Sequence, residues 1–179
     1  MRSSPICTAI NRIETPRLIL RPHGLEDFEA CHAMWADPAV VRHISGVPST
    51  REQSWARLLR YAGHWDLLGY GFWGVEERES GAFIGEVGFA DFHRDIEPSL
   101  DGLPEVGWVF ASHAHGKGYA TEAMLAALSW GEAHFGASTQ FACIIAPENA
   151  ASIRVAEKCG FTLAHRTQYH NEPALLFKR

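Results

Sequence analysis

The sequence lacks the features of membrane, secreted and nucleic-acid-binding proteins. No apolar run approaches the length of a membrane span, and residues 1–10 lack the apolar core of a signal peptide. Lysines and arginines form no run, and the formal net charge is −5, which argues against nucleic acid as the main partner. We therefore expect a protein of the reducing cytoplasm that binds neither membranes nor nucleic acids.

Signatures of metal sites are also absent. The four cysteines lie at positions 7, 31, 143 and 159, without a Cys-x-x-Cys pair or a zinc-like spacing. The ten histidines include no His-x-x-x-His pair on a predicted helix, although His113 and His115 lie two residues apart in a loop. Because unpaired cysteines are usually small buried side chains, we expect free thiols and no metal.

The most informative segment covers residues 105–124. Its apolar run 106–111 predicts a strand, and the residues after Gly116-Lys117-Gly118 have the periodicity of a long helix. A glycine-bearing turn at a helix N-terminus suits anionic oxygen, because free backbone N–H groups and the helix dipole favour negative charge there. The pattern predicts a phosphate site, but the glycines could equally serve only a tight turn.

Two common phosphate motifs do not fit this segment. A P-loop has a Ser or Thr after its Gly-Lys, whereas Lys117 is followed by Gly118. A dinucleotide-binding fingerprint needs a third glycine inside an N-terminal βαβ unit, and this loop lies past the middle of the chain. The choice between a phosphate site and a plain turn therefore depends on the rest of the sequence.

A second segment, 149–161, begins with Asn149, contains Ser152 and ends in Gly-Phe, after a strand-like run at 139–146. In this order the two segments resemble the Gcn5-related N-acetyltransferase (GNAT) superfamily. That family has a pyrophosphate loop of pattern Gln/Arg-x-x-Gly-x-Gly/Ala, followed by a helix that ends in Gly-Phe. The matching loop residues are His115, Gly118 and Ala120. His115 departs from the usual Arg or Gln, which puts a side-chain contact to phosphate in doubt.

Three further features are similar to the subgroup that acetylates the N-termini of ribosomal proteins. They are the opening stretch 14–22, the run 118–123, and Asn149 with Ser152. The resemblance covers roughly residues 13–178. It implies a single acetyltransferase domain over 13–178, with residues 1–12 as an N-terminal extension.

The fold class that we expect is mixed α/β. Predicted strands lie near 17–22, 72–77, 83–89, 105–111, 139–146, 162–169 and 174–178. Predicted helices lie near 25–35, 37–44, 50–65, 117–135 and 150–158. The resemblance implies a central, mostly antiparallel sheet of about seven strands, splayed between the fourth and fifth strands and flanked by about four helices.

The resemblance also implies acetyl-CoA as the cosubstrate. Its pantetheine arm would lie between the splayed strands along the backbone of Trp108, Val109 and Phe110, with the Val109 or Phe110 N–H as the oxyanion donor. Asn149 would bind the pantetheine amides, cap the following helix, or do both. The diphosphate would bind the turn made by His115, Gly116, Lys117, Gly118, Tyr119, Ala120 and Thr121.

Acetyl transfer to an amine needs a base for the ammonium proton and an acid for the leaving thiolate. Glu105, at the start of the fourth predicted strand, is the predicted base. It could instead only cap an exposed strand end, and Glu86 and Asp91 are the alternative bases. Ser152 is the predicted acid, although it could also help to cap its helix. Ala156 occupies the position at which many relatives carry a tyrosine that protonates the thiolate.

The expected reaction is direct acetyl transfer to a primary amine, which could be a protein N-terminus, a lysine or a small molecule. A larger acyl group such as succinyl stays open, and so does a non-catalytic role as an acyl-CoA sensor or scaffold. Arg42, His43 and the polar loop 91–104 are candidates for shaping the acceptor site. The chain would act as a monomer or a homodimer.

Overall fold

The structure is a computed structural model that describes residues 12–179, so the predicted extension lies outside the described residues except for Arg12. The strands are β1 (Ile13–Glu14), β2 (Leu18–Arg21), β3 (Phe72–Glu77), β4 (Phe83–Ala90), β5 (Glu105–Phe110), β6 (Ala142–Ile145), β7 (Thr162–Tyr169) and β8 (Glu172–Lys178). The α-helices are α1 (Phe28–Trp35), α2 (Pro38–Val41), α3 (Arg51–Leu68), α4 (Tyr119–Phe135) and α5 (Ala150–Lys158).

The eight strands form one sheet in the order β1-β2-β3-β4-β5-β6-β8-β7. Every neighbouring pair is antiparallel except β5 and β6, which are parallel and joined only at Glu105 and Ala142. The predicted mixed fold is therefore confirmed. The predicted splay between the strands at 105–111 and 139–146 is confirmed as well, since these are β5 and β6. The described residues add one strand, β1, to the seven that were expected, and their five α-helices lie within or near the five helices predicted from the sequence.

Local sequence signals explain where the long helices begin. The Thr50 hydroxyl accepts from the Gln53 N–H at 3.2 Å while the Gln53 side chain accepts from the Thr50 N–H at 2.9 Å, a capping box that starts α3. Helix α4 begins at Tyr119, two residues later than predicted. The delay arises because Gly118 adopts a left-handed conformation, with φ of 81°, and acts as the N-cap.

The two faces of the sheet carry different layers. Since side chains alternate along a strand, Glu105, Gly107 and Val109 point to one face of β5, and Val106, Trp108 and Phe110 to the other. Val106 and Phe110 join the main core beneath α4, so we call their side the α4 face. Val109 packs with Trp35 and Val41, so its side is the α1 face.

The polar loop 91–104 is anchored over one end of the sheet. Its apolar residues Ile96 and Leu100 are buried against Ala142 of β6 and Leu176 of β8. The loop therefore covers the end of the sheet at which β5 and β6 meet. None of the helices in residues 12–179 is both long and apolar enough to cross a membrane.

Candidate active site

A cleft opens along β5 where β6 leaves it. Although β5 is a central strand, Gly107, Trp108 and Val109 are only half-buried. The Ala111 N–H donates to the Ile84 carbonyl of β4 at 2.9 Å. Because N–H direction alternates along a strand, the Phe110 N–H points into the cleft and the Val109 N–H points to β4. Of the two expected oxyanion donors, the register thus leaves Phe110 and rules out Val109.

The His115 side chain turns back onto the end of β5. Its Nε2 donates to the Phe110 carbonyl oxygen at 2.8 Å. That bond satisfies a carbonyl group of the cleft edge which has no partner in β6. One nitrogen of the ring is therefore engaged by the strand, which explains how a histidine fits at a position where relatives carry Arg or Gln.

The turn that follows has the form of an anion site. Gly116 and Gly118 both have positive φ, 75° and 81°, and no side chain caps the N-terminus of α4. Within residues 12–179, no group accepts from the N–H groups of residues 116–121. Free N–H groups in successive positions of this kind form a concave site for anionic oxygen. Lys117 is exposed at the tip of the turn.

Thr15 and Arg17, which lie just before β2, form a clamp that holds this turn. No sequence motif predicts this clamp. Arg17 donates from Nη1 to the Lys117 carbonyl at 2.9 Å and from Nε to Glu122 at 2.6 Å. Thr15 donates its hydroxyl to the same carboxylate at 2.7 Å. Burial alone would raise the pKa of Glu122, but the hydrogen bonds from Thr15 and Arg17 outweigh it and lower that pKa. The partners lie 105 residues apart, so no local pattern links them.

We expect Arg17→Ala to weaken binding of an anionic ligand at the turn by about fivefold, because the clamp is half-exposed and such pairs contribute about 1 kcal/mol or less. Calorimetric titration with coenzyme A measures the change. Arg12→Ala is the control, since Arg12 forms an exposed pair with Glu14 that does not touch the turn. Equal affinities in the two variants would show that the clamp does not shape the site.

Glu105, the predicted base, is buried rather than at an exposed strand end. It is 7% exposed, and its two oxygens accept from Arg94 Nε and Nη2 at 2.6 and 2.7 Å. Arg94 lies between the rings of Phe92 and Tyr169, 4.6 and 4.7 Å from their centroids. Burial lowers the pKa of Arg94, but the bonds to Glu105 outweigh that effect and raise it. The loop 91–104 therefore supplies a charged partner that the sequence did not reveal.

The two alternative bases are placed differently. Glu86 faces the same side as Val109 but is 1% exposed, under α1 and α3. Its Oε2 accepts from Trp35 Nε1 and from the Tyr61 hydroxyl, each at 3.0 Å. Burial would raise the pKa of Glu86, yet these bonds and His23 outweigh it and lower that pKa. Asp91 follows β4 and lies 3.5 Å from His93 at the surface.

Within residues 12–179, possible metal ligands meet only around Glu86. His23, Cys31 and Glu86 each offer a ligand atom, and these atoms lie within 4.8 Å of one another. Donors around one zinc ion lie about 3.3–3.8 Å apart, given bonds of about 2.0–2.3 Å. Because one Glu86 oxygen is already occupied by Trp35 and Tyr61, we assign no metal to this cluster.

The start of α5 borders the cleft from the side of β6. The Asn149 Oδ1 accepts from the Ser152 N–H at 3.1 Å, so Asn149 caps the helix. The Ser152 side chain is half-buried, and its hydroxyl has no partner among residues 12–179. Ala156 is fully buried in the main core.

The cysteines near the cleft are poor nucleophiles. Cys143 in β6 and Cys159 after α5 are free and each 2% exposed. Burial raises the pKa of Cys143, and it raises that of Cys159 to about 11. Since the thiolate is the reactive form, neither is suited to carry an acyl group.

Comparisons with known proteins agree with this geometry. The family model for the acetyltransferase (GNAT) domain matches residues 17–162. The Bacillus subtilis protein YkkB, itself uncharacterised, is 33% identical over 82% of this chain and 81% of its own. A structure from Bordetella pertussis, assigned to the GNAT acetyltransferases, is 31% identical, with a TM-score of 0.81 over 94% of this chain and 98% of that one.

A more distant structure shares the fold alone. The ribosomal L7/L12 α-N-protein acetyltransferase RimL, solved with coenzyme A, is 18% identical, with a TM-score of 0.73 over 94% of this chain and 97% of that one. The splayed sheet, the glycine turn before α4 and the family match all lead to the same assignment. The chain belongs to the GNAT family of acetyltransferases.

Proposed function

We propose that the protein transfers an acetyl group from acetyl-CoA directly to a primary amine, on a small molecule or a protein N-terminus. One observation carries this proposal: the cleft edge of β5 leads, through a short 3-10 helix (Ser112–Ala114), to a turn whose N–H groups, from 116 to 121, have no partner within the described chain. A diphosphate joined to an extended arm with amide groups matches that arrangement. RimL, which shares the fold, was solved with coenzyme A.

Different groups of the protein would bind different parts of acetyl-CoA. The free N–H groups of the turn would hold the diphosphate, with Lys117 as a point charge. The backbone of Trp108 and Phe110 faces the cleft and would pair with the pantetheine arm. Asn149 would still offer its amide N–H₂ group, because its cap to α5 uses only Oδ1.

Acetyl-CoA supplies an activated thioester, so the residues need only place charges and move protons. A cleft-facing N–H of β5, that of Trp108 or that of Phe110, would donate to the developing oxyanion, a role that can contribute about 3 kcal/mol to lowering the barrier. The free Ser152 hydroxyl would protonate the departing thiolate. With Cys143 buried and protonated, direct attack by the amine fits better than transfer through an acylated cysteine.

Glu105 would remove the ammonium proton through a water molecule. It faces the same side of β5 as Gly107 and Val109, which line the open part of the cleft. Arg94 takes one hydrogen-bonding position on each of its oxygens, and a carboxylate oxygen can accept a second bond. Glu86 is enclosed by Trp35 and Tyr61, which makes it unsuitable for contact with a substrate.

Two measurements on the purified protein test the proposed function. Calorimetry should detect coenzyme A binding, and acetyl-CoA should release thiol when a panel of amines and N-terminal peptides is supplied. Succinyl-CoA, run in parallel, should be a poorer donor. Binding without thiol release from any amine would favour the non-catalytic sensor, and folded protein that binds no coenzyme A would overturn the proposal.

A further inference from the structure

A pocket of about 350 Å³ opens between α3 and the segment that joins α2 to α3. Five polar side chains line it together with Val47, Pro48 and Ala56, and the described lining includes no carboxylate. The polar side chains are Ser45, Ser49, Gln53, Arg57 and Arg60. The pocket therefore has two positive charges and no negative charge on its own wall.

Arg57 is a half-buried cation without a counter-ion. Its guanidinium lies 3.6 Å from the centroid of the Trp35 ring, and its one hydrogen bond goes to the Ser49 hydroxyl at 3.3 Å. No carboxylate within residues 12–179 forms an ion pair with it. Burial, the largest influence, lowers the pKa of Arg57, and the nearby Tyr61 and Glu86 offset that effect only in part.

Other half-buried arginines of this chain are compensated. Arg21 donates from Nη1 and Nη2 to Asp27, each at 2.8 Å, and Arg94 makes a similar two-fold contact with Glu105. A desolvated guanidinium normally gains such a partner, because its planar fork matches a carboxylate or a phosphate. No carboxylate of residues 12–179 occupies the fork of Arg57, and only Nη1 is engaged, by the Ser49 hydroxyl, so its other N–H groups remain available to a ligand in the pocket.

Arg60 adds a second unpaired charge to the same wall. It follows Arg57 by three residues, so both side chains project from neighbouring positions on one side of α3. Its guanidinium lies 5.2 Å from the centroid of the Phe92 ring, and no acidic side chain of the described chain forms an ion pair with it. Ser49 and Gln53 add neutral hydrogen-bonding groups to the same lining.

Buried side chains connect the wall of the pocket to the strands of the cleft. The Trp35 ring that supports Arg57 donates its N–H to Glu86, and Glu86 lies opposite Val109 in the register of β4 and β5. Trp35 also packs in one cluster with Val109. Since the α4 face is filled by the main core, the α1 face is the side from which an acceptor can reach β5.

We propose that Arg57 and Arg60 bind an oxyanion of the amine acceptor, a carboxylate or a phosphate. The acceptor is then a zwitterionic small molecule, such as an amino acid or an amino phosphate, and polycationic amines are repelled from the pocket. This inference rests on the proposed function, because it assumes that the pocket serves the acceptor of the acetyl group.

The test uses amines whose ammonium group and oxyanion are separated by a variable chain. The probes are amino carboxylates from glycine to 6-aminohexanoate, their carboxamides, aminoalkyl phosphates, and the polycation spermidine. With coenzyme A bound, the nitrogen-15 resonance of the Arg57 side chain is followed by NMR. With acetyl-CoA, thiol release gives kcat/KM for each probe.

We expect at least one carboxylate or phosphate to shift the Arg57 resonance and to bind about tenfold or more tightly than its neutral counterpart. The class of probe that shifts the resonance, carboxylate or phosphate, identifies the oxyanion. Arg57→Gln should remove the preference, and Arg60→Gln, which changes an exposed side chain, should reduce it even if the first variant folds poorly. Arg51→Gln should keep the preference, because Arg51 lies on the same helix but pairs with Glu29 outside the pocket.

Several results would overturn the inference and leave the proposed function standing. They are equal kcat/KM for carboxylates and carboxamides, turnover of spermidine in preference to every zwitterion, or an Arg57 resonance that no anionic probe moves. Failure of the proposed function looks different, because coenzyme A would then not bind, or no amine would release thiol.

Discussion

Replacing Gly118 with valine should reduce coenzyme A affinity by about a hundredfold or more while the protein stays folded. Gly118 has φ of 81°, a conformation that costs a β-branched residue roughly 1–2 kcal/mol or more. Its Cβ would lie 3.5 Å from Arg17 Nη2, an ordinary contact, so the conformation and not a clash is the obstacle. Relief of that strain would turn the N–H groups of the turn away, and two charge-assisted bonds of about 1.5–3 kcal/mol each account for the loss.

The matched control is Gly81→Val. Gly81 has φ of 69° in the β3–β4 hairpin, and a Cβ there would meet no atom within 4 Å. Both variants should therefore lose similar stability in thermal unfolding, but only Gly118→Val should lose affinity in calorimetry. If Gly118→Val bound coenzyme A as tightly as Gly81→Val does, the turn before α4 would not be the diphosphate site.

The second large effect concerns proton removal. Glu105→Gln should lower kcat by at least about tenfold, and by about a hundredfold if the carboxylate acts as a full general base. Coenzyme A affinity should stay unchanged, because Glu105 lies at the end of β5 remote from residues 116–121. Amine-dependent thiol release over a pH series is the measurement.

Arg94→Gln separates a catalytic role of Glu105 from a structural one. Both variants break the same partly buried ion pair, so both should lower the melting temperature. If Glu105 is the base, Arg94→Gln keeps the carboxylate that takes the proton and should retain most of kcat, whereas Glu105→Gln should not. Equal loss of kcat in the two variants at every pH would show that Glu105 only supports the loop 91–104 and is not the base.

The sequence predicted the parts of the site that depend on local backbone. The strand 106–111, the two glycines and the helix after them are next to one another in the chain, so turn chemistry and periodicity were sufficient. The splay was implied only by the resemblance to GNAT proteins. The splay is a property of the fold that no single segment contains.

The parts that could not be predicted are contacts between distant side chains. Arg17 and Glu122 are separated by 105 residues, and Arg57 lies on a helix whose charged positions look like an ordinary solvated face. Sequence reasoning looked to Arg42 and His43 for the acceptor, yet neither lines the pocket that Arg57 and Arg60 form. Which arginine lacks a counter-ion is decided only when the elements have packed.

The single bridge between β5 and β6 has a mechanical consequence. Among the described residues, one half of the sheet, β1 to β5, pairs with the other, β6 to β8, at Glu105 and Ala142 alone. A ligand arm that forms hydrogen bonds along both free edges would take the place of a strand and hold the two halves together. Binding of acetyl-CoA would then make the sheet more rigid beside Glu105. The acceptor would therefore bind to a more rigid site than the one in the free protein.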